Sequence, residues 1–211
     1  MAEQPITVAG RRLDKSRHIC SFFHTKQEEY RVFLPFIKEG LDRGEKALHI
    51  VDAALLNDHF ERLASAGINT ADCIEARRLE VRTWEEAYLR GGAFDQYAML
   101  SLIEELLQDA KAQGYPLARL IAHMEWALKD VPAVQDLIEY ETRLNCILPK
   151  YPDAVICTYD LARFPASVVI DILRTHPMVL IEGVLQENPF FIPPDQFLRE
   201  LQMRRSPVST Y

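Results

Sequence analysis

An α/β fold, three layers deep with a mostly parallel central sheet between helices, is what this sequence predicts. Three observations lead there. Short β-rich runs alternate with amphipathic stretches of helical period, and that alternation implies a parallel sheet covered on both faces. Runs such as "ALHIV" and "AVICTY" are apolar without interruption, as strands buried on both sides are. Glycine and proline fall where helices should stop.

The first strand is expected at His18–Phe23, followed by a helix over Glu28–Leu41 that Gly40 and Gly44 close. A strand at Ala47–Val51 leads to a helix at Ala53–Ala66, ended by Gly67. After a strand at Leu79–Thr83, Asp95 caps a long helix to Gln113, with Gly114 and Pro116 behind it. Strands at Leu117–Ala122 and Ala154–Tyr159 flank a helix over Val134–Leu148. A helix at Ser167–Thr175, one further strand at Met178–Leu185 and a last helix from Asp195 to about Met203 complete the series. Residues 16–204 read as one domain, and residues 1–15 and 205–211 as flexible ends.

Composition narrows the function. A net charge of −7 argues against direct nucleic-acid binding, which wants a basic face. No apolar stretch reaches the ~18 residues of a membrane span, and "MAEQPITVAGRRLDK" has no signal-peptide core. Cys20, Cys73, Cys146 and Cys157 form no CxxC pair. This excludes a ribbon-type zinc site and fits a reduced, cytoplasmic protein.

Familiar catalytic signatures are missing. There is no G-x-S-x-G elbow, no GxGxxG and no Walker A loop. The first strand-to-helix corner, "SFFHTKQEEY", holds no glycine, and Glu28 and Glu29 open the helix where a phosphate would otherwise sit. ATP hydrolysis by the usual route is not expected.

In an open parallel sheet, ligands bind beyond the carboxyl ends of the strands. The residues expected at that rim are Phe23, His24 and Thr25, then His49 and Asp52, then His123, Glu125 and Trp126, then Tyr159 and Asp160. Two readings stand. The rim is a ligand site, or Asp52 and Asp160 cap helices and Trp126 is core. His18 and Cys20, two apart on one strand, share a face. A metal there would need further ligands, for which His49, His123 and Glu125 are the candidates. The commoner arrangement is a buried thiol beside a satisfied histidine, with no metal and no cofactor.

Five segments together, "HICSFFHTKQEEYRVFLPFIKEGLDRGEKALHIVD", "MEWAL", "CTYDLARF", "DILRTHPMVLIEG" and "ENPFFIPPDQFL", resemble the MEDS domain. This is the sensory domain of the dichloromethane-regulator type, and the resemblance spans about Arg17 to Leu201. It implies a RecA/KaiC-like core whose Walker A loop has been replaced. On that ancestry, Asp52 falls where active KaiC-like ATPases carry paired glutamates, and "RLIAHMEW" where they carry the Walker B acid. It also implies sensing of small organic molecules, hydrocarbon derivatives among them, with the family's H-x-C motif falling on His18 and Cys20. Some relatives carry a helix-turn-helix, kinase or ATPase module. In 211 residues none is expected, so a signal should pass to a separate regulatory partner or through homo-oligomerisation.

The expectation is therefore a non-enzymatic sensor. Phe22 or Phe23, His24, Trp126 and Tyr159 would line a pocket anchored by Asp52, Glu125 and Asp160. His18 and Cys20 would form its buried floor. Two alternatives remain: a metal-assisted or acid–base enzyme built from His24, His49, Asp52, His123 and Glu125, and a catalytically dead ATPase kept as an interaction module.

Overall fold

The computed structural model describes residues 5–14, 16–129 and 131–205, and of 131–135 the backbone alone. Seven strands form the central sheet: β3 (His18–Phe23), β4 (Lys46–Val51), β5 (Leu79–Thr83), β6 (Ala118–His123), β7 (Ala154–Asp160), β8 (Met178–Ile181) and β9 (Val184–Glu187). Their order is β5-β4-β6-β7-β3-β8-β9. Every pairing is parallel except β8 with β9.

Pleat parity sorts the side chains. On β3, β4, β6 and β7 one face carries Cys20, Phe22, Leu48, Ile50, Leu120, Ala122, Val155, Cys157 and Tyr159. That face packs under α4 (Gln96–Ala112), α5 (Val131–Ile147), α6 (Ala166–Thr175) and α7 (Pro194–Arg205). The other face carries Ile19, Phe23, Ala47, Ile121 and Ile156 under α1 (Lys26–Asp42), α2 (Leu56–Ser65) and α3 (Thr70–Glu75). Burial on both sides explains why these strands read as unbroken apolar runs.

Three expectations need correction. Residues 1–15 do not read out as a frayed end where they are described. β1 (Ile6–Val8) and β2 (Arg11–Leu13) form an antiparallel hairpin across Ala9-Gly10, both at positive φ. Ile6, Val8 and Leu13 seal it onto the α1 side of the core. Residues 1–4, 15 and 206–211 lie outside the described residues. Second, Met178–Leu185 is not one strand. Glu182 (φ 52°) and Gly183 (φ 75°) fold it into a hairpin of β8 and β9, as a two-residue turn with both φ positive requires. Third, Ala53–Ala66 is a single 3₁₀ turn, Ala53–Leu55, followed by α2, and the short α3 was not anticipated. No helix among the described residues is long and apolar enough to cross a membrane.

Candidate functional site

The glycine-free corner caps itself. Thr25 Oγ1 accepts from the Glu28 N–H at 3.2 Å, and Glu28 Oε2 accepts from the His24 N–H at 3.0 Å. This is a capping box displaced by one residue. It occupies donors that a phosphate would need at the start of α1. Lys26, the cation at this corner, is held by Glu29 at 2.7 Å and stands 3.6 Å from Glu125. Thr25→Ala is expected to cost ~1 kcal/mol, read as a lower urea midpoint at unchanged slope.

Glu29 belongs to a buried chain on the α1 face. It accepts from His123 Nε2 at 2.7 Å as well as from Lys26. Burial alone would push its carboxyl up, but His123 and Lys26 outweigh that and bring it down to about 2. Beside it, the Tyr30 hydroxyl stands 2.6 Å from His59 Nδ1, and His59 Nε2 stands 2.9 Å from His49 Nδ1. The phenol can donate or accept, and a neutral imidazole does one at each nitrogen, so the chain is hydrogen-bonded in either direction. Burial, then the neighbouring His123, lowers His59 to about 3; His49 is lowered too, by burial first and then by His59 and His123.

A second buried cluster lies on the opposite face. Glu141 of α5, with 0% exposure, faces three side chains. His18 Nε2 is 3.2 Å, His176 Nε2 3.4 Å and Cys157 Sγ 3.6 Å from its Oε2. Its other oxygen accepts from the Tyr159 hydroxyl at 2.9 Å. Burial raises the Glu141 carboxyl, yet the two histidines more than reverse this and hold it near 2. Burial, then Glu141, raises the Cys157 thiol.

The rim expected from the sequence is divided. His24 is exposed and, with Phe22, Phe23, Arg31, Leu161 and Ile181, lines a cleft of about 380 Å³ beyond the end of β3. Asp52 caps the 3₁₀ turn through Ala54 N at 3.1 Å, and Asp160 binds Ala162 N at 2.8 Å. Trp126 is 1% exposed and stacks on Tyr88 at 4.6 Å, with Phe94 at 4.3 Å. It is core packing, in a place apart from the cleft. Tyr159 lies against Phe22, ring centroids 5.6 Å apart, and reaches Glu141 behind it. His123 and Glu125 sit in the Lys26–Glu29 network.

His18 and Cys20 do share a buried face, as expected. Their supposed partners His49 and His123 do not join them, because pleat parity turns both to the α1 side. Cys20 Sγ donates to the Met178 carbonyl at 3.6 Å. The thiol beside His18 is Cys157, at 3.8 Å. A larger groove of about 830 Å³ lies between the N-terminal hairpin and β9, at the amino ends of the strands. Ligands of parallel sheets collect at the other end, so size does not decide here.

Sequence reasoning missed Glu141, His176, His59, Tyr30 and Glu29. A signal existed for two of them. Leu137, Glu141, Leu144 and Leu148 fall on one stripe of α5 and its end, and Glu29, Phe33, Ile37 and Gly40 on one stripe of α1. An acid on an otherwise apolar stripe must be buried with partners.

Residues 17–177 match the family model described as MEDS, MEthanogen/methylotroph, DcmR Sensory domain. The transcriptional repressor DcmR of Methylorubrum extorquens is 26% identical over 177 residues, which cover 80% of this chain and 61% of the repressor. The chain thus spans about three fifths of the length of that relative. The crystal structure of the KaiC-like protein PH0186 from Pyrococcus horikoshii superposes with a TM-score of 0.53 at 14% identity, over 82% of this chain and 73% of the other. That likeness concerns the fold: a KaiC-like α/β sheet.

Proposed function

Since the chain belongs to the MEDS family of sensory domains, we propose that it is a non-enzymatic sensor of a small organic molecule, taken up in the cleft beside His24. The observation that carries this reading is the cleft itself. It opens at the carboxyl end of β3 and is lined by Phe22, Phe23 and Ile181 together with His24, Glu28, Arg31 and Glu182. A partly apolar lining with convergent polar groups suits a small organic ligand. A nucleotide is disfavoured there, because Glu28 and Thr25 already satisfy the helix start.

The relative named a transcriptional repressor supports a place in transcriptional control. The domain would act in the cytoplasm and report to a separate regulatory partner or a second copy of itself. Ligand binding would shift a two-state equilibrium by its difference in affinity for the two states. The metal-assisted enzyme and the bare interaction module lose ground for separate reasons. His24 and Asp52 stand apart from the buried His49–His59 chain, and an open, partly apolar cleft exists.

The test is a thermal-shift panel of halomethanes, short alcohols and short-chain carboxylates, with ATP and magnesium as the counter-probe. A ligand present at 100 times its Kd stabilises by ~2.7 kcal/mol, roughly 5–10 °C for a chain of this size. Ile181→Trp, which fills the cleft, should abolish that shift. No shift from any member of the panel, or an equal shift in Ile181→Trp, overturns the reading.

A further inference from the structure

We propose that His18, Glu141, Cys157 and His176 form a closed tetrahedral site for a divalent transition-metal ion of the zinc class. They come from β3, α5, β7 and the residue just after α6. All four are buried, and their ligand atoms lie within 4.8 Å of one another.

The distances fit a shared ion. A tetrahedron with metal–ligand bonds of ~2.0–2.3 Å has edges of roughly 3.3–3.8 Å. Four of the six edges are 3.2 Å (His18 to Glu141), 3.4 Å (His176 to Glu141), 3.6 Å (Cys157 to Glu141) and 3.8 Å (Cys157 to His18), and the two from His176 to His18 and Cys157 are within 4.8 Å.

The outer hydrogen bonds fix both tautomers. Asn145 Nδ2 donates to the carbonyls of Glu141, Thr142 and Thr175. Its Oδ1 therefore accepts, and the group 3.0 Å away is His18 Nδ1. So His18 carries a proton on Nδ1, and in the neutral ring its Nε2 lone pair faces inward. His176 Nδ1 faces the Ile172 carbonyl at 3.0 Å, which also demands a proton there. His176 Nε2 has no hydrogen-bond partner, although it is fully buried and aimed at Glu141.

Two imidazole lone pairs, a carboxylate oxygen and a sulfur thus converge on one point. The two imidazole rings lie 4.1 Å apart, tilted by 39°. A cation at the centre satisfies all four groups. The Tyr159 hydroxyl on the other Glu141 oxygen and Asn145 behind His18 are the outer partners that orient metal ligands. Two nitrogens, one sulfur and one oxygen suit zinc or cobalt rather than magnesium or calcium. Four protein ligands leave no open position, so the ion would hold β3, β7 and α5 together rather than catalyse. On binding, the Cys157 thiol releases its proton and forms a sulfur–metal bond. Cys20, the cysteine that the sequence motif singles out, stays outside.

The experiment is a cobalt(II) titration of the metal-stripped full chain in a Cys146→Ser background, which removes the exposed thiol. One equivalent should bind, with tetrahedral visible bands and a thiolate-to-cobalt charge-transfer band, and zinc should displace it. Cys157→Ser should lose the charge-transfer band and weaken binding beyond the ~10–100-fold that outer-partner changes cost. Cys20→Ser should keep both. A folded chain that takes up neither cobalt nor zinc overturns the proposal, as does unchanged binding in both Cys157→Ser and His176→Gln. Should the variants not fold, absence of the thiolate band from the parent chain overturns it by itself. Either outcome leaves the cleft reading standing or falling on its own panel.

Discussion

Arg119→Ala is expected to destabilise this protein by about 3–5 kcal/mol, the cost of removing one partner from a buried ion pair. Arg119 enters from β6 with 1% exposure. Its Nε binds Glu45 at 2.5 Å, its Nη1 binds the Phe36 carbonyl at 2.5 Å and Glu39 at 3.1 Å, and its guanidinium lies on the Phe36 ring at 4.5 Å. Truncation leaves Glu45, 2% exposed, with Arg43 as its remaining ion-pair partner at 3.0 Å, and opens a cavity beneath α1. The midpoint of thermal unfolding should drop by roughly 6–20 °C. Replacing both partners, Arg119→Met with Glu45→Met, should cost less than Arg119→Ala alone. Equal or greater loss in the double variant would mean that packing, not charge, dominates. Gly40→Ala probes the same spot from the other side. A Cβ there would lie 2.6 Å from Arg119 Nε and 2.7 Å from Cδ, and the hydrogen bonds leave that side chain nowhere to go.

Acid should unfold the protein through the histidine chain. His59 is held to about 3 in the fold, chiefly by burial, and His49 is lowered for the same reason. In the unfolded chain both take up a proton near pH 6.5. Between about pH 6.5 and 3 the unfolded state therefore binds more protons, and stability falls as pH falls. His59 alone accounts for about 4 kcal/mol over that window. Glu29, held near 2, adds its own loss below about pH 4.3, the ordinary glutamate value. Urea unfolding from pH 7 to 4 measures this. His59→Phe should flatten the pH slope whatever it does to stability at pH 7. An unaltered slope would show that the chain is not what senses acid.

The parallel core was legible because its strands are buried on both faces and its helices keep an apolar stripe. What escaped was set by chain geometry that composition does not carry. Ala9-Gly10 and Glu182-Gly183 turn the chain where an Asn-Gly pair would have announced it. Met178–Leu185 is apolar enough on either side of its turn to pass as one strand. The site was harder. His18, His49 and His123 all stand on strands, and only register tells that His18 faces α5 while the other two face α1 and α2. Cys20 and Cys157 are directly paired across β3 and β7. Nothing in the order of residues says that Cys157, rather than Cys20, is the one beside His18. Trp126 sits on a 3₁₀ turn whose direction decides between rim and core, and it points to Tyr88 and Phe94.

The position of β3 in the sheet has a consequence for how the chain is made. It is the first strand of the central sheet to leave the ribosome, yet both its neighbours, β7 and β8, are among the last. His18 and Cys157 are 139 residues apart, and Cys20 and Met178 158 apart. Until those late strands emerge, "HICSFF" has two unpaired edges, and only the face under α1 has apolar cover. Such long-range closure slows folding and leaves hydrophobic strands open to aggregation. A nascent chain halted before Ala154 would thus carry this central strand with both edges and one apolar face open, and synthesis, rather than the finished fold, becomes the stage at which this protein most needs a chaperone.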